Sequence, residues 1–173
     1  MGWNPVVRSE NVQWGYIDLS KKMYIPSEFH KKLKRSQLHA NDVLINLVGA
    51  SIGRACIVPE NIGEANVNQA VAVISPNKEK LNSKYLLYFL LSNSTQKTLQ
   101  GGKVETARPN ISLANLRDLR IPPISLTEQR RIVEYLEGLQ AKVDALKTLQ
   151  AETAAELDAL LPSILDKAFK GEL

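Results

Sequence analysis

Residues 42–75 read DVLINLVGASIGRACIVPENIGEANVNQAVAVIS, and the predicted fold rests mainly on these residues. It contains three short runs rich in apolar and β-branched residues, DVLINLV, ACIV and QAVAVIS. The runs are separated by turn-forming residues, namely Gly49, Gly53, Pro59, Asn61 and Gly63. This pattern is typical of strands joined by tight turns. Because apolar and polar residues alternate poorly within the runs, we expect both faces of the sheet to be covered at least in part.

A helix is predicted directly after these strands. Residues 84–91, KYLLYFLL, form with their flanks an apolar segment that is long enough for a helix covering one face of the sheet. Asn82 or Ser83 is the expected N-cap, because Asn and Ser side chains accept hydrogen bonds from the first free amides of a helix. The helix is expected to end near Gly101.

The chain then becomes polar before a last short apolar stretch. Residues 101–112, GGKVETARPNIS, open with two glycines and are interpreted as a loop. Residues 116–124, LRDLRIPPI, are interpreted as a last edge strand that the proline pair terminates. The sequence up to this point therefore predicts a small domain that mixes strands and helices.

The C-terminal part predicts one long helix. Ser125 and Glu128 form an S-x-x-E capping box, and no proline follows until Pro162. A helix that reaches Leu161 would have about 37 residues and a length of about 55 Å. The sequence leaves open whether Pro162 bends the last turn or ends the helix.

Apolar residues in this helix recur in steps of four and three, which is the heptad pattern of a helix packed along a partner. The ten seam positions are Ile132, Leu136, Leu139, Val143, Leu146, Gln150, Thr153, Leu157, Leu160 and Ile164. The two polar members are of the kind that fixes register or partner number at a cost in stability. Because a lone solvated helix with this stripe would be unstable, the sequence requires a partner helix.

Composition excludes several classes of protein. The chain has 173 residues, of which 44% are hydrophobic, and it contains one cysteine. These values suit one domain with an appended element and exclude disordered, collagen-like and disulfide-dense proteins. No run approaches the roughly 18 apolar residues of a membrane span, and the N-terminus lacks the pattern of a secretory signal. We therefore expect a cytoplasmic protein without a membrane partner.

The charge is unevenly distributed along the chain. The first 120 residues carry 16 basic and 9 acidic residues, a net charge of +7, whereas the remainder carries 6 and 9, a net charge of −3. A basic domain favours a polyanionic partner, but charge alone does not choose between DNA, RNA and an acidic protein. The densest cluster of cations consists of Lys21, Lys22, Lys31, Lys32, Lys34 and Arg35. A solvated surface is an equally frequent role for such a run.

Motifs for catalysis are missing from the sequence. It has no phosphate-cradling glycine loop, and Gly49 and Gly53 stand without the rest of a dinucleotide fingerprint. His30 and His39 have no Cys or His at zinc-ligand spacing, and the carboxylates of the first 120 residues do not cluster. We therefore expect no catalysis by this chain and no cofactor or metal of its own. Cys56 is predicted to be a small buried hydrophobic residue.

Four fragments, taken in order, resemble one protein family. They are HANDVLINLVGASIGRACIV at 39–58, NQA at 68–70, ARPNISLANLRDLRIPPISLTEQRRIVEYL at 107–136 and LPSILDKAFKGEL at 161–173. The diagnostic order is a D-V-L-I strand with G-x-x-x-G, then N-Q, N-I-S, a proline pair and an E-Q-R-R-I helix start. In this order the fragments resemble the specificity subunit of type I restriction-modification systems.

The resemblance implies an α+β protein with two parts. Residues 1–122 would form a small mixed α/β target recognition domain that reads half of a bipartite DNA sequence, although the opening looks short for a complete domain. Residues 123–173 would form one long coiled-coil-forming helix that acts as a spacer and docking site. Such subunits normally carry two of these units, so the chain is either a half-length subunit that pairs with itself or a fragment of a longer one.

The resemblance also implies partners and a division of labour. The chain would be a non-catalytic specificity subunit that binds double-stranded DNA, modification subunits and restriction subunits. S-adenosylmethionine, ATP and magnesium would belong to those partner subunits. The alternative, from another class, is a coiled-coil dimerisation adaptor whose basic head binds protein or RNA. Salt-dependent binding to duplex DNA discriminates between the two, since the adaptor need not show it.

Candidate DNA contacts divide into two sets. The phosphate candidates are the six clustered cations together with Lys103. For the bases, Arg54 and Arg108 suit guanine, whereas Asn46 suits adenine. Asn68, Gln69 and Asn110 also suit adenine, but a role in a turn is more frequent for them and for Ser112. We hypothesise that residues 101–109 form a mobile loop that becomes ordered on DNA.

Overall fold

The three predicted strands form one antiparallel sheet. They are β3 (Val43–Asn46), β4 (Ala55–Ile57) and β6 (Val71–Ile74). Their order is β4-β3-β6, so that β3 is the central strand. The computed structural model describes residues 2–99 and 110–171. Lys103, Arg108 and the predicted loop over residues 101–109 lie outside the described residues.

The central strand β3 is buried on both faces. Leu44 belongs to a core cluster with Val7, Val12 and Val58. Its neighbour Ile45 belongs to a second cluster, in which Leu86, Leu90 and Ile111 also pack. Successive side chains of a strand point to opposite faces, so the two clusters lie on the two sides of the sheet. The expectation that both faces are covered is confirmed.

A second three-stranded sheet contains strands that the sequence analysis missed. It is built from β1 (Trp3–Val7), β2 (Met23–Pro26) and β5 (Asn66–Val67), in the order β2-β1-β5. β1 is antiparallel to β2 and parallel to β5. Within the described part of the chain, the residues before the long C-terminal helix therefore form two small sheets.

The predicted helix is interrupted. Asn82 is its N-cap, as expected, because its side chain accepts hydrogen bonds from the amides of Lys84 and Tyr85 at 2.9 and 3.1 Å. However, the helix α2 (Ser83–Leu91) ends at Ser92, and a separate helix, α3 (Asn93–Leu99), follows. Ser92 has extended backbone angles, and its carbonyl and hydroxyl oxygens accept hydrogen bonds from amides of α3. A serine in this position stops one helix and caps the next.

The predicted edge strand over residues 116–124 is wrong. Leu116 and Arg117 end a short helix, α4 (Leu113–Arg117), and residues 119–124 form neither helix nor strand. Ser112 and Asn115 make a reciprocal capping box, with hydrogen bonds of 3.1 and 2.9 Å between each side chain and the other residue's amide. The apolar side chains of Leu116 and Leu119 pack onto the second core cluster instead of extending the sheet.

The long helix is confirmed and is longer than predicted. It is α5 (Leu126–Lys170), preceded by Ser125, whose hydroxyl accepts a hydrogen bond from the amide of Glu128 at 3.2 Å. Its 45 residues correspond to about 68 Å. Pro162 lies inside the helix and does not end it. No helix in the described ranges is long and apolar enough to cross a membrane.

The chain divides into two compact units, Met1–Arg130 and Arg131–Leu173. The first turn of α5 belongs to the first unit because Gln129 is bound there. The Gln129 side-chain amide donates to the Lys80 carbonyl at 3.0 Å, and its oxygen accepts from the Asn82 amide at 2.9 Å. The domain boundary between residues 122 and 123 stays a prediction.

Cys56 is buried in the first core cluster, as expected for a small hydrophobic residue. Burial raises the pKa of its thiol from 9.0 to about 12. Below pH 9 the thiol is protonated in both the folded and the unfolded chain, whereas between pH 9 and about pH 12 the unfolded chain alone releases the proton.

We expect the free energy of unfolding to fall as pH rises through this window, by up to about 1.4 kcal/mol per pH unit. A Cys56→Ala variant, although less stable, lacks this contribution. Chemical unfolding at about pH 8 and about pH 10 measures the difference between the two proteins. Parallel pH profiles for both would contradict the expectation.

Candidate nucleic-acid interface

The six clustered cations are all exposed, and four of them lie at the end of one short helix and in the turn that follows it. Lys31 and Lys32 end the helix α1 (Ser27–Lys32), and Lys34 and Arg35 lie in the 3-10 turn that follows. Lys21 and Lys22 precede β2, whose last residue leads directly into α1. The Lys32 ammonium lies 5.8 Å from the centre of the Phe29 ring. We call the run from His30 to Gln37 the basic segment.

A buried amide fixes the basic segment to the sheet. The Asn66 side chain donates to the Ser36 hydroxyl at 2.7 Å and to the Leu33 carbonyl at 3.3 Å. Its oxygen lies 2.6 Å from His30 Nδ1, which therefore donates. Gln37 in turn donates to the His30 carbonyl at 2.8 Å. The cations of the segment consequently project from a backbone held at both of its ends.

Sequence reasoning missed the anchoring role of Asn66 and His30. Both side chains are buried within the described structure, and both are fully engaged with the segment. The available signal was a histidine next to a Lys-rich run and an asparagine within an apolar stretch. Neither pattern identifies its partner, because the two residues are 36 positions apart.

Arg54 lies beside a tight turn that carries two exposed aromatic residues. Its Nη1 donates to the Gln13 side-chain oxygen at 2.7 Å. The turn is closed by a hydrogen bond from the Gln13 amide to the Tyr16 carbonyl at 3.0 Å, and Gly15 has a φ of 91°. Trp14 is 52% exposed and Tyr16 is 61% exposed. The sequence identified Arg54 but missed the turn and Gln13.

Asn46 was predicted as an adenine contact, and its burial corrects that prediction. Its side chain is fully buried, and its amide donates to the Ser9 carbonyl at 2.8 Å and to the Ser51 hydroxyl at 3.0 Å. Its side-chain oxygen is buried without a partner among the described residues. A base edge cannot reach this group, so Asn46 holds the loop between β3 and β4 from within.

The other amide candidates lie in or beside a turn and in a β-bridge. The Asn68 side chain accepts a hydrogen bond from the Ala70 amide at 3.3 Å, and Gln69 is exposed. Asn110 pairs with Val48 in an isolated β-bridge. In residues 2–99 and 110–171, no three His, Cys, Asp or Glu side chains group as a metal site would require.

The helix seam lies open along the second unit. From Leu139 to the end of the described chain, every seam position is exposed. The two polar seam positions line a shallow groove on this helix, together with apolar neighbours. The groove is lined by Leu146, Leu149, Gln150, Thr153, Ala154 and Leu157. The heptad pattern therefore presents a continuous apolar surface with a polar centre.

Comparison with known proteins places this fold in one family. Residues 4–154 match the model of the type I restriction modification DNA specificity domain. The chain belongs to that family, so the resemblance seen in the sequence is confirmed. An HsdS subunit from Thermoanaerobacter tengcongensis has the same fold, with a TM-score of 0.73 at 19% identity over 92% of this chain and 41% of that one.

Individual relatives agree with this assignment. The chain is 36% identical over 168 residues to the EcoBI specificity subunit of Escherichia coli. The aligned region covers 97% of this chain and 35% of that subunit. A chain solved in work on complex assembly and conformational transition of the type I R-M system is 28% identical, with a TM-score of 0.71 over 99% of this chain and 41% of that one. The chain thus spans well under half the length of these relatives.

Proposed function

We propose that the chain is a non-catalytic DNA-recognition subunit, or the corresponding part of one, in a cytoplasmic type I restriction-modification enzyme. Its first unit reads one half of a bipartite DNA target, and its long helix docks the modification subunits. Restriction subunits join the same assembly, and S-adenosylmethionine, ATP and magnesium belong to the partners. The observation that carries the proposal is the family match over residues 4–154, which covers the recognition unit and most of the helix. That match does not favour the adaptor alternative.

The cations of the basic segment are proposed to bind phosphates of the DNA backbone. Lysine and arginine side chains that meet phosphates release condensed counterions, which gives binding its strength and its salt dependence. Such contacts fix position and register without reading sequence. Because Asn66 holds the segment in place, the backbone that carries its cations needs little ordering when DNA binds.

The helix is proposed to set the distance between two recognition units. An antiparallel pair of such helices, each about 68 Å long, spans more than one turn of B-DNA. When the partner helix is a second copy of this chain, the two half-sites are related by two-fold symmetry. The preferred DNA of the isolated chain is then a palindromic bipartite sequence.

The experiment that tests DNA recognition removes two cations of the basic segment. A Lys31→Ala/Lys34→Ala variant is expected to bind a labelled duplex at least about tenfold more weakly at low salt, because two phosphate contacts are lost. The slope of log affinity against log salt should become shallower by about one per lost contact. Fluorescence anisotropy between about 50 and 200 mM salt measures both quantities.

A matched variant controls for net charge. Lys78→Ala/Lys97→Ala removes two exposed cations of the same unit that lie outside the basic segment, and it should keep the wild-type slope. If wild-type binding to duplex DNA is independent of salt, the proposal fails and the adaptor becomes the better account. If both double variants lower the slope equally, the basic segment is not the phosphate site.

A further inference from the structure

We infer that Gln13 and Arg54 form one specificity element, in which Gln13 positions the Arg54 guanidinium to read a guanine. The inference rests on the proposed function and adds to it a positioning residue and the turn that carries it. Three observations carry it. Arg54 has no carboxylate partner among the described residues, Gln13 is tethered on two sides, and the turn that Gln13 closes exposes two aromatic side chains.

The positive charge of Arg54 is not paired with a carboxylate among the described residues. Its recorded partner is the neutral amide of Gln13, and in the described ranges no carboxylate lies within ion-pair distance of it. Arg8 provides the contrast, because its guanidinium is paired with the Glu10 carboxylate. A half-buried arginine that is oriented but not neutralised retains most of its N–H donors for a ligand.

Gln13 is itself held on two sides. Its side-chain amide nitrogen donates to the Glu10 carbonyl at 2.8 Å, so that its oxygen faces Arg54. Its backbone amide closes the turn onto Tyr16. The turn is docked on β4 by a hydrogen bond from the Gly15 amide to the Ala55 carbonyl at 2.9 Å. Gln13 is therefore placed independently of Arg54 and fixes the orientation of the guanidinium in advance.

A fixed guanidinium suits guanine for a geometric reason. Its planar fork donates two parallel hydrogen bonds to the O6 and N7 atoms of guanine in the major groove. Pre-orientation saves the rotamer entropy that a free arginine would lose on binding. The turn that begins at Gln13 also exposes the aromatic side chains of Trp14 and Tyr16, which add apolar surface to the element. Lysine at position 54 would keep the charge and lose the fork.

The test is selection of bound sequences from a randomised duplex library by the full chain. The wild type should prefer guanine at one position of its half-site. Arg54→Lys should lower that preference about tenfold or more, and Gln13→Ala should lower it at the same position. Gln13→Glu keeps the contact but pairs the guanidinium with a carboxylate, so it too should lose the preference. The salt slope should be unchanged in Arg54→Lys and Gln13→Ala.

The outcomes separate this inference from the proposed function. Arg117→Lys, an exposed arginine on α4, is the matched control and should leave the sequence profile unchanged. Unchanged profiles in both Arg54→Lys and Gln13→Ala, with a base preference in the wild type, overturn the inference alone. Salt-dependent binding by the wild type with no base preference overturns sequence reading by the first unit as well. Absence of salt-dependent DNA binding overturns the proposed function together with it. A variant that only lowers the unfolding midpoint while keeping the guanine preference shows a structural role and also overturns the inference.

Discussion

Replacement of Leu44 by alanine is expected to lower the free energy of unfolding by about 3 to 5 kcal/mol. Leu44 is fully buried at the centre of β3, and it packs in the cluster that also contains Val7 and Val12. Truncation removes about three carbon atoms' worth of apolar contact and leaves a cavity that a sheet held on both faces cannot close. Urea unfolding followed by circular dichroism measures the loss.

The same strand provides an independent check from its other face. Ile45→Ala is expected to cost about 2 to 5 kcal/mol, because Ile45 fills the second cluster against α2. Leu113→Ala is the matched control, since Leu113 is exposed on α4, and it should change the free energy of unfolding by less than about 0.5 kcal/mol. If the free energy of unfolding falls by less than about 1 kcal/mol in both Leu44→Ala and Ile45→Ala, β3 does not contribute to both core clusters as described.

The part of the fold that the sequence predicts correctly is local. β3, β4 and β6 contain apolar residues at consecutive positions, which is typical of a strand buried on both faces. Asn82 and Ser125 were found as N-caps because a cap depends on amides only two or three residues away. The heptad pattern of α5 is equally local, since each seam step spans one helical turn.

The part that was missed depends on partners far along the chain. β1 contains Pro5, which argues against a central strand, and its partners β2 and β5 lie about 20 and about 60 positions later. The short run over residues 116–121 has too few apolar residues for its period to be decided, and the helix that Ser112 caps includes only its first two residues. Pro162 was expected to be a possible end of α5, yet one proline removes only one hydrogen bond of a helix this long.

In the candidate site, too, the residues that the sequence identified depend on local properties, and those that it missed depend on distant partners. Exposed cations can be found from sequence because solvation is their default state, and all six clustered cations are exposed. Neutral amides cannot be sorted in this way, because the same side chain serves a turn, an anchor or a base. Asn46 was a candidate adenine contact and is buried, whereas Asn66 anchors the basic segment and Gln13 contacts Arg54. The sequence pattern around Asn66 and Gln13 does not identify these distant partners.

The double substitution Leu146→Asp/Leu157→Asp is expected to convert a dimer of the chain into a monomer. Both leucines are exposed seam positions that line the groove of α5, at 60% and 63% exposure. In an antiparallel pair these side chains would be buried against the partner helix, where an unpaired carboxylate costs several kcal/mol. With four such charges in each dimer, we expect association to weaken at least about a thousandfold, or about 4 kcal/mol.

Light scattering of the purified chain at micromolar concentration measures this change. The wild type should have twice the mass of one chain, and the double variant should have the mass of one chain. Ala155→Asp is the matched control, because residue 155 lies two positions after Thr153 and outside the seam, and it should remain dimeric. Circular dichroism should show a loss of helix in the monomeric variant, because α5 carries an apolar stripe that water does not stabilise.

The control variant also decides what a negative result means. If Ala155→Asp dissociates as well, added charge alone disrupts the helix and the seam is not the specific surface. If the wild type is already monomeric, self-pairing is contradicted, and the mate of the seam is a helix of a different or longer polypeptide. The polar pair Gln150 and Thr153 then becomes the discriminating feature, since a polar centre selects the helix whose own polar positions fall opposite to it.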